Sequence, residues 1–195
     1  MADVPGDAGS TGGERLAPAG HSRRLARERA VQALYQWQLT GQSARRIIEQ
    51  YLEDTGPPSD GPIETDRELE DVLAMDQVDV EFFTGLVNGV LDRLEEWDAQ
   101  ITPHLDRSFA NLDPTERVLL RLGCFELNER LDIPLRVVIN EYVELAKRFG
   151  AQDSYKYINS LLDRVARGHR LRAVERDLPP TGTTRRRRSR PGRRS

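Results

Sequence analysis

Apolar side chains recur at three- and four-residue steps along most of the chain, and nowhere do they alternate with period two between turn dipeptides. Such spacing gathers them on one face of a helix, so the pattern predicts an all-α fold without strands. The plainest case is residues 133–167, IPLRVVINEYVELAKRFGAQDSYKYINSLLDRVAR. One stripe consists of Val138, Tyr142, Leu145, Ala146 and Phe149. Its helix is expected to open at Pro134, where a missing N–H has no partner to lose, and to stop at Gly150 in the left-handed C′ conformation. Asp153 reads as the cap of a second helix, whose stripe Tyr157, Ile158, Leu161, Leu162 and Val165 runs out at Gly168. Two amphipathic helices joined by so short a turn lie antiparallel and bury their stripes against further helices.

Upstream, Ser22 is expected to cap a helix ending at Thr40-Gly41, with Ala26, Ala30, Ala33, Leu34 and Trp37 inside. Its first two turns are expected to expose Arg23, Arg24, Arg27 and Arg29. A short helix follows from Ser43 to about Glu53. Residues 54–76, with Gly56-Pro57-Pro58 and Gly61-Pro62, break the periodicity and read as a long loop with room for one helical turn over 66–73. The pattern resumes at Asp79: Phe82, Phe83, Leu86, Val87, Val90, Leu91, Leu94 and Trp97 form the wide apolar face of a core helix. A short helix from Asp98 to Leu105, interrupted near Pro103, comes next. Asp113-Pro114-Thr115-Glu116 has the form of a capping box opening a helix that carries Val118, Leu119, Leu122, Phe125 and Leu127 inward. The sum is about seven helices in two small packed bundles, 22–53 with 79–106 and 113–168. Residues 1–21 and 169–195 are expected to be disordered tails, since neither can bury enough apolar surface to offset the entropy of ordering.

Charge changes this picture more than composition does. The 195 residues carry a net charge of −3. Between Glu49 and Asp98 stand 16 acidic residues against Arg67 and Arg93, whereas the last 15 residues hold seven arginines and no acid. Without that tail the first 180 residues carry −10, so an anionic partner has to be met by local basic patches. Arginines at a helix start oppose the helix dipole, which suggests phosphate gripping for Arg23, Arg24, Arg27 and Arg29; a solvated arginine-rich face is the other reading.

Catalytic and metal chemistry find little support. Cys124 is the single cysteine, flanked by Gly123 and Phe125 as a small buried hydrophobe would be, and it excludes a disulfide framework. His104 and Asp106 lie close together without a third ligand at helical spacing. No Gly-rich phosphate loop or Ser-His-Asp arrangement is present, and Glu126 has neither nucleophile nor second carboxylate beside it. An ion pair with an arginine is its expected role. The reading is therefore a protein that is not an enzyme and needs no cofactor. No apolar run approaches the ~18 residues that cross a bilayer, and no signal-peptide core opens the chain, which points to the cytoplasm.

INEYVELAKRFG followed by DSYKYINSLLD resembles the C-terminal signature of the NusB family of transcription antitermination factors, and Arg121, Phe125, Glu126 and Leu127 resemble that family's central helix. The resemblance covers roughly 22–53 and 77–168. It implies an RNA-binding adaptor that pairs with the small-subunit ribosomal protein NusE, holds boxA-type single-stranded RNA, and joins the RNA polymerase antitermination complex in ribosomal RNA transcription. It also implies that Arg23, Arg24, Arg27 and Arg29 match an arginine-rich RNA-binding motif, with Leu25 standing where a further arginine is common. Asp153, Lys156 and Tyr157 match positions near the RNA path, and Tyr35 and Glu116 match positions associated with NusE. Tyr35 and Tyr157 read equally well as core aromatics, and Asp153 as a cap. Two other functions fit a NusB-like domain: the RNA-binding module of an rRNA cytosine methyltransferase, and a helical protein–protein adaptor without an RNA role.

Overall fold

The computed structural model describes residues 19–53 and 77–177. Among the described residues seven α-helices span α1 Ala19–Thr40, α2 Ala44–Glu53, α3 Val80–Asp92, α4 Leu94–Ile101, α5 Pro114–Glu129, α6 Leu135–Phe149 and α7 Ser154–Asp177. Two 3₁₀ turns, Thr102–His104 and Phe109–Asn111, join α4 to α5, and there is no strand among the described residues. The loop expected over 54–76, its helical turn, and residues 1–18 and 178–195 of the expected tails lie outside the described residues, while 19–21 and 169–177, expected to be disordered, are helical.

Helix α5 organises the rest. Every residue from Val118 to Leu127 is buried, because α1, α3, α4, α6 and α7 all pack against it. The two bundles thus share one continuous core, running from Ala26 through Phe83, Trp97 and Leu119 to Tyr142 and Leu162. Glycines permit the closest approaches. A Cβ on Gly89 would lie 2.2 Å from the Phe125 ring, and one on Gly123 would lie 2.7 Å from Leu162.

Several helix starts follow local chemistry. The Ser43 hydroxyl accepts the Arg46 N–H at 3.3 Å, and the Asp79 carboxylate accepts the Phe82 N–H at 2.9 Å. At α5 Asp113 accepts the Thr115 N–H at 2.8 Å while Glu116 reaches back to the Asp113 N–H at 3.3 Å, closing the box foreseen from sequence.

Other boundaries differ from the sequence reading. Helix α1 begins at Ala19, ahead of Ser22. Pro134 caps α6 in an extended conformation instead of forming its first turn. The apolar run 79–97 is two helices, broken where Arg93 leaves helical geometry at φ −132° and ψ 39°. The Trp97 indole N–H then donates to the Gly89 carbonyl at 2.9 Å, holding α4 against the last turn of α3. Gly150 is extended, at φ −83° and ψ 169°. Its glycine serves space: a Cβ there would sit 2.6 Å from the Ala146 carbonyl and 2.1 Å from the Ser154 hydroxyl. The left-handed residue of this turn is Asp153, at φ 65°. Gly168 does not end α7, which continues to Asp177.

Candidate nucleic-acid interface

The four arginines of α1 do not form one patch. Arg27 is only 3% exposed, which corrects the expectation that it faces solvent. Its Nε lies 3.0 and 3.2 Å from the two carboxylate oxygens of Glu126, and its Nη2 donates at 2.5 Å. Tyr142 Oη donates to the same carboxylate at 2.9 Å, and Glu141 stands 3.5 Å from Arg27 Nη1. Burial by itself lowers the pKa of Arg27, but the Glu126 hydrogen bonds and charge more than offset this and hold the guanidinium above its ordinary value. The expected ion pair of Glu126 is therefore present, and its partner is a residue expected to bind RNA.

The other three point in different directions. Arg23 lies 3.8 Å from Asp79 and 3.5 Å from Asp132, and its guanidinium stands over the Phe82 ring at 5.2 Å. Arg29 faces the opposite side of α1, where it donates to Gln32 at 2.8 Å and lines a polar cleft with Gln36 and Gln50. Arg24 is exposed and makes no ion pair with a described residue. It borders a groove of about 240 Å³ between α1 and α6, together with Glu28, Lys147 and Arg148. Arg148 crosses that groove to Glu28 at 2.5 Å.

From this groove the cations continue to Tyr155 and Lys156 at the start of α7, and Tyr157 forms a separate contact there. Lys147, in the last turn of α6, pairs with Glu144 at 2.6 Å. Its ammonium lies 5.6 Å from the Tyr155 ring centroid, and the Lys156 ammonium lies at the same distance from the same ring. The Asp153 carboxylate pairs with Lys156 at 2.8 Å, and this hydrogen bond and its charge raise the pKa of the lysine. Tyr157 is half-buried and donates to Asp106 at 2.7 Å, while the Arg107 guanidinium covers its ring at 4.8 Å. The Arg107 hydrogen bond, followed by that of Tyr157, holds the Asp106 carboxyl below its usual range. Burial, and then Asp106, push the Tyr157 phenol upward.

Asp153 and Lys156 are paired, whereas Tyr157 turns to Asp106 and Arg107, and Asp153 has a different local role from a helix cap. Its left-handed backbone differs from the extended conformation of N-cap residues, and its carboxylate turns to Lys156. Sequence reasoning missed Arg107, Lys147, Arg148 and Tyr155. The alternation of aromatic and cation in Tyr155-Lys156-Tyr157 was the available signal; Arg107 and Arg148 reach the site only through packing.

Tyr35 and Glu116 lie on another side. Tyr35 is 38% exposed and Leu39, one turn on, 67%, so Tyr35 is not a core aromatic. The end of α1 is fixed to the start of α5 by Gln38, which donates to the Pro114 carbonyl at 3.0 Å. Glu116 is buried, with its carboxylate engaged by the helix start it helps to cap.

The described residues thus define an all-α domain built around one buried central helix, with cations and aromatic rings along its first, sixth and seventh helices. The NusB family model matches residues 24–167, and the chain belongs to the NusB family. The transcription antitermination protein NusB of Alkalilimnicola ehrlichii is 50% identical over 155 residues, covering 79% of this chain and 86% of the relative. That of Halorhodospira halophila is 46% identical over 157 residues, covering 80% and 89%. Among solved structures, Thermotoga maritima NusB superposes with a TM-score of 0.60 at 30% identity, covering 75% of this chain and 92% of the other. A crystal structure of the antitermination factors NusB and NusE in complex with dsRNA matches with a TM-score of 0.58 at 26% identity, covering 75% and 97%.

Proposed function

We propose that this chain is an RNA-binding transcription antitermination adaptor, which holds boxA-type RNA together with NusE and serves ribosomal RNA transcription within the RNA polymerase antitermination complex. The observation that carries the reading is the run of Arg24, Arg148, Lys147, Tyr155 and Lys156, beside which Arg107 and Tyr157 form a second cation–aromatic pair. Cations spaced along a surface displace counterions from phosphates, and aromatic rings between them offer faces to unpaired bases. Within this reading Arg24 and Lys156 contact phosphate, Tyr157 meets the RNA path, and Asp153 opposes binding by its charge and by holding Lys156. Arg23 and Arg29 reach RNA from the margins, and Arg27 contributes by fixing α1 in place.

The partner surface is the end of α1 with the start of α5, where Tyr35 and Leu39 supply apolar area and Glu116 holds the shape of the helix start. The place of action is the cytoplasm; no helix among the described residues is long and apolar enough to cross a membrane. Titrating the full chain with a single-stranded boxA RNA, with and without NusE and at several salt concentrations, tests the reading. Binding that falls steeply with salt and tightens with NusE supports it. Salt-independent binding, or none with either partner, overturns it.

A further inference from the structure

The family resemblance gives Tyr155 no role, and packing alone does not account for the two lysines gathered at its ring. Its ring is partly buried and packs against the core, so its position is fixed while part of it remains open. Two ammonium groups, from different helices, stand 5.6 Å from its centroid. Each is also tied to a carboxylate, Lys147 to Glu144 and Lys156 to Asp153. Both lysines are surface residues, with side chains 47% and 65% exposed, so neither pair is rigid and each exchanges readily with solvent. A fixed aromatic ring with two movable cations beside it has the parts of a site for one nucleotide unit, a base on the ring and phosphates on the cations.

We infer that Tyr155 is a base-stacking platform for single-stranded RNA, with Lys147 and Lys156 as the phosphate contacts that flank the stacked base. The inference rests on the RNA-binding reading and adds a residue and a preference to it. In the free protein the ammonium groups cover the ring and lean on their carboxylates. As a strand arrives they turn to its phosphates, which uncovers the ring for the base between them. The two contributions differ physically. Stacking is nearly independent of salt, whereas each phosphate contact adds roughly 0.7 to the salt slope on a single strand. A base paired in a duplex presents no open face, so the platform favours unpaired RNA.

The test compares the full wild-type chain with Tyr155→Leu, Tyr155→Phe and Lys147→Gln/Lys156→Gln, using a single-stranded 12-mer and the same sequence as a duplex. Tyr155→Leu should weaken single-strand binding about tenfold at every salt concentration, leaving the slope and duplex binding unchanged. The double lysine variant should lower the slope by roughly 1.4. A fluorescent purine analogue in the strand should be quenched by the wild type and by Tyr155→Phe, which keeps the ring, but not by Tyr155→Leu. Wild-type affinity in Tyr155→Leu, or a loss that appears only as a reduced slope, overturns the platform while leaving RNA binding intact. Failure of the wild type to bind either RNA overturns both the platform and the function on which it rests.

Discussion

At the scale of single residues, the difference between Arg24 and Arg27 shows how three positions on one helix separate binding from stability. Arg27 has been removed from water against Glu126, so Arg27→Ala leaves a buried carboxylate without its cation. The expected loss is about 3–5 kcal/mol of unfolding free energy in urea titrations. Arg24→Ala removes an exposed cation that pairs with no described residue and should change stability by no more than about 0.5 kcal/mol. It should instead reduce the salt slope of RNA binding by roughly 0.7.

Tyr142 adds a pH dependence to the same cluster. Burial, and then the charge of Glu126, raise its phenol well above the ordinary value of 10.0. The folded protein keeps the proton that the unfolded chain releases near that pH. The stability so gained is complete below pH 10 and is lost as pH rises toward the folded value. Tyr142→Phe should therefore lose stability less steeply between pH 10 and 11, by up to about 1.4 kcal/mol per pH unit, when urea midpoints are compared. Asp153 gives a prediction of opposite character. Asparagine tolerates its left-handed backbone as well as aspartate does, so Asp153→Asn should leave the melting temperature unchanged. Freed from that carboxylate, Lys156 should bind RNA more tightly in filter-binding titrations; unchanged or weaker binding would show that Asp153 does not oppose the RNA.

Among elements, α5 is decisive because it is buried on all sides and other helices must come close to it. Gly89 on α3 admits the Phe125 ring of α5, and its carbonyl accepts the Trp97 indole of α4. Gly89→Ala should thus push α3 off α5, destabilising by about 1–3 kcal/mol. Because Trp97 packs edge-on to Phe125 at 5.8 Å, near-ultraviolet circular dichroism should report the displacement. A variant with native aromatic signals and native stability would mean that the ring moves aside without effect.

For the whole molecule, the separation of charge sets how RNA is approached. The acidic body repels an anion at long range, while the last 15 residues carry seven arginines. Truncation after Pro180 should weaken binding to matched and scrambled RNA by a similar factor at low salt. The gap should close as the Debye length falls from about 30 Å at 0.01 M to about 10 Å at 0.1 M. Equal binding by the truncated and full chains at low salt would leave the tail without a role in encounter.

What the sequence determined by itself is what depends on neighbours along the chain. Helical periodicity, the capping box at Asp113, the cap at Asp79 and the apolar stripes of α6 and α7 are local, since a side chain and a backbone group three residues away decide them. The DSYKYINSLLD stretch carried the family in the same way. What only the tertiary structure decided involves partners far apart in sequence. Nothing near Arg27 shows that Glu126 will bury it, so the arginine motif read as one exposed patch when it is three surfaces and a core ion pair. Nothing near Arg93 shows that Trp97 will turn back to Gly89 and fold one apolar run into two helices. The cationic run was hidden for the same reason: Arg24, Arg148 and Tyr155 come from three helices, and packing around α5 brings them together.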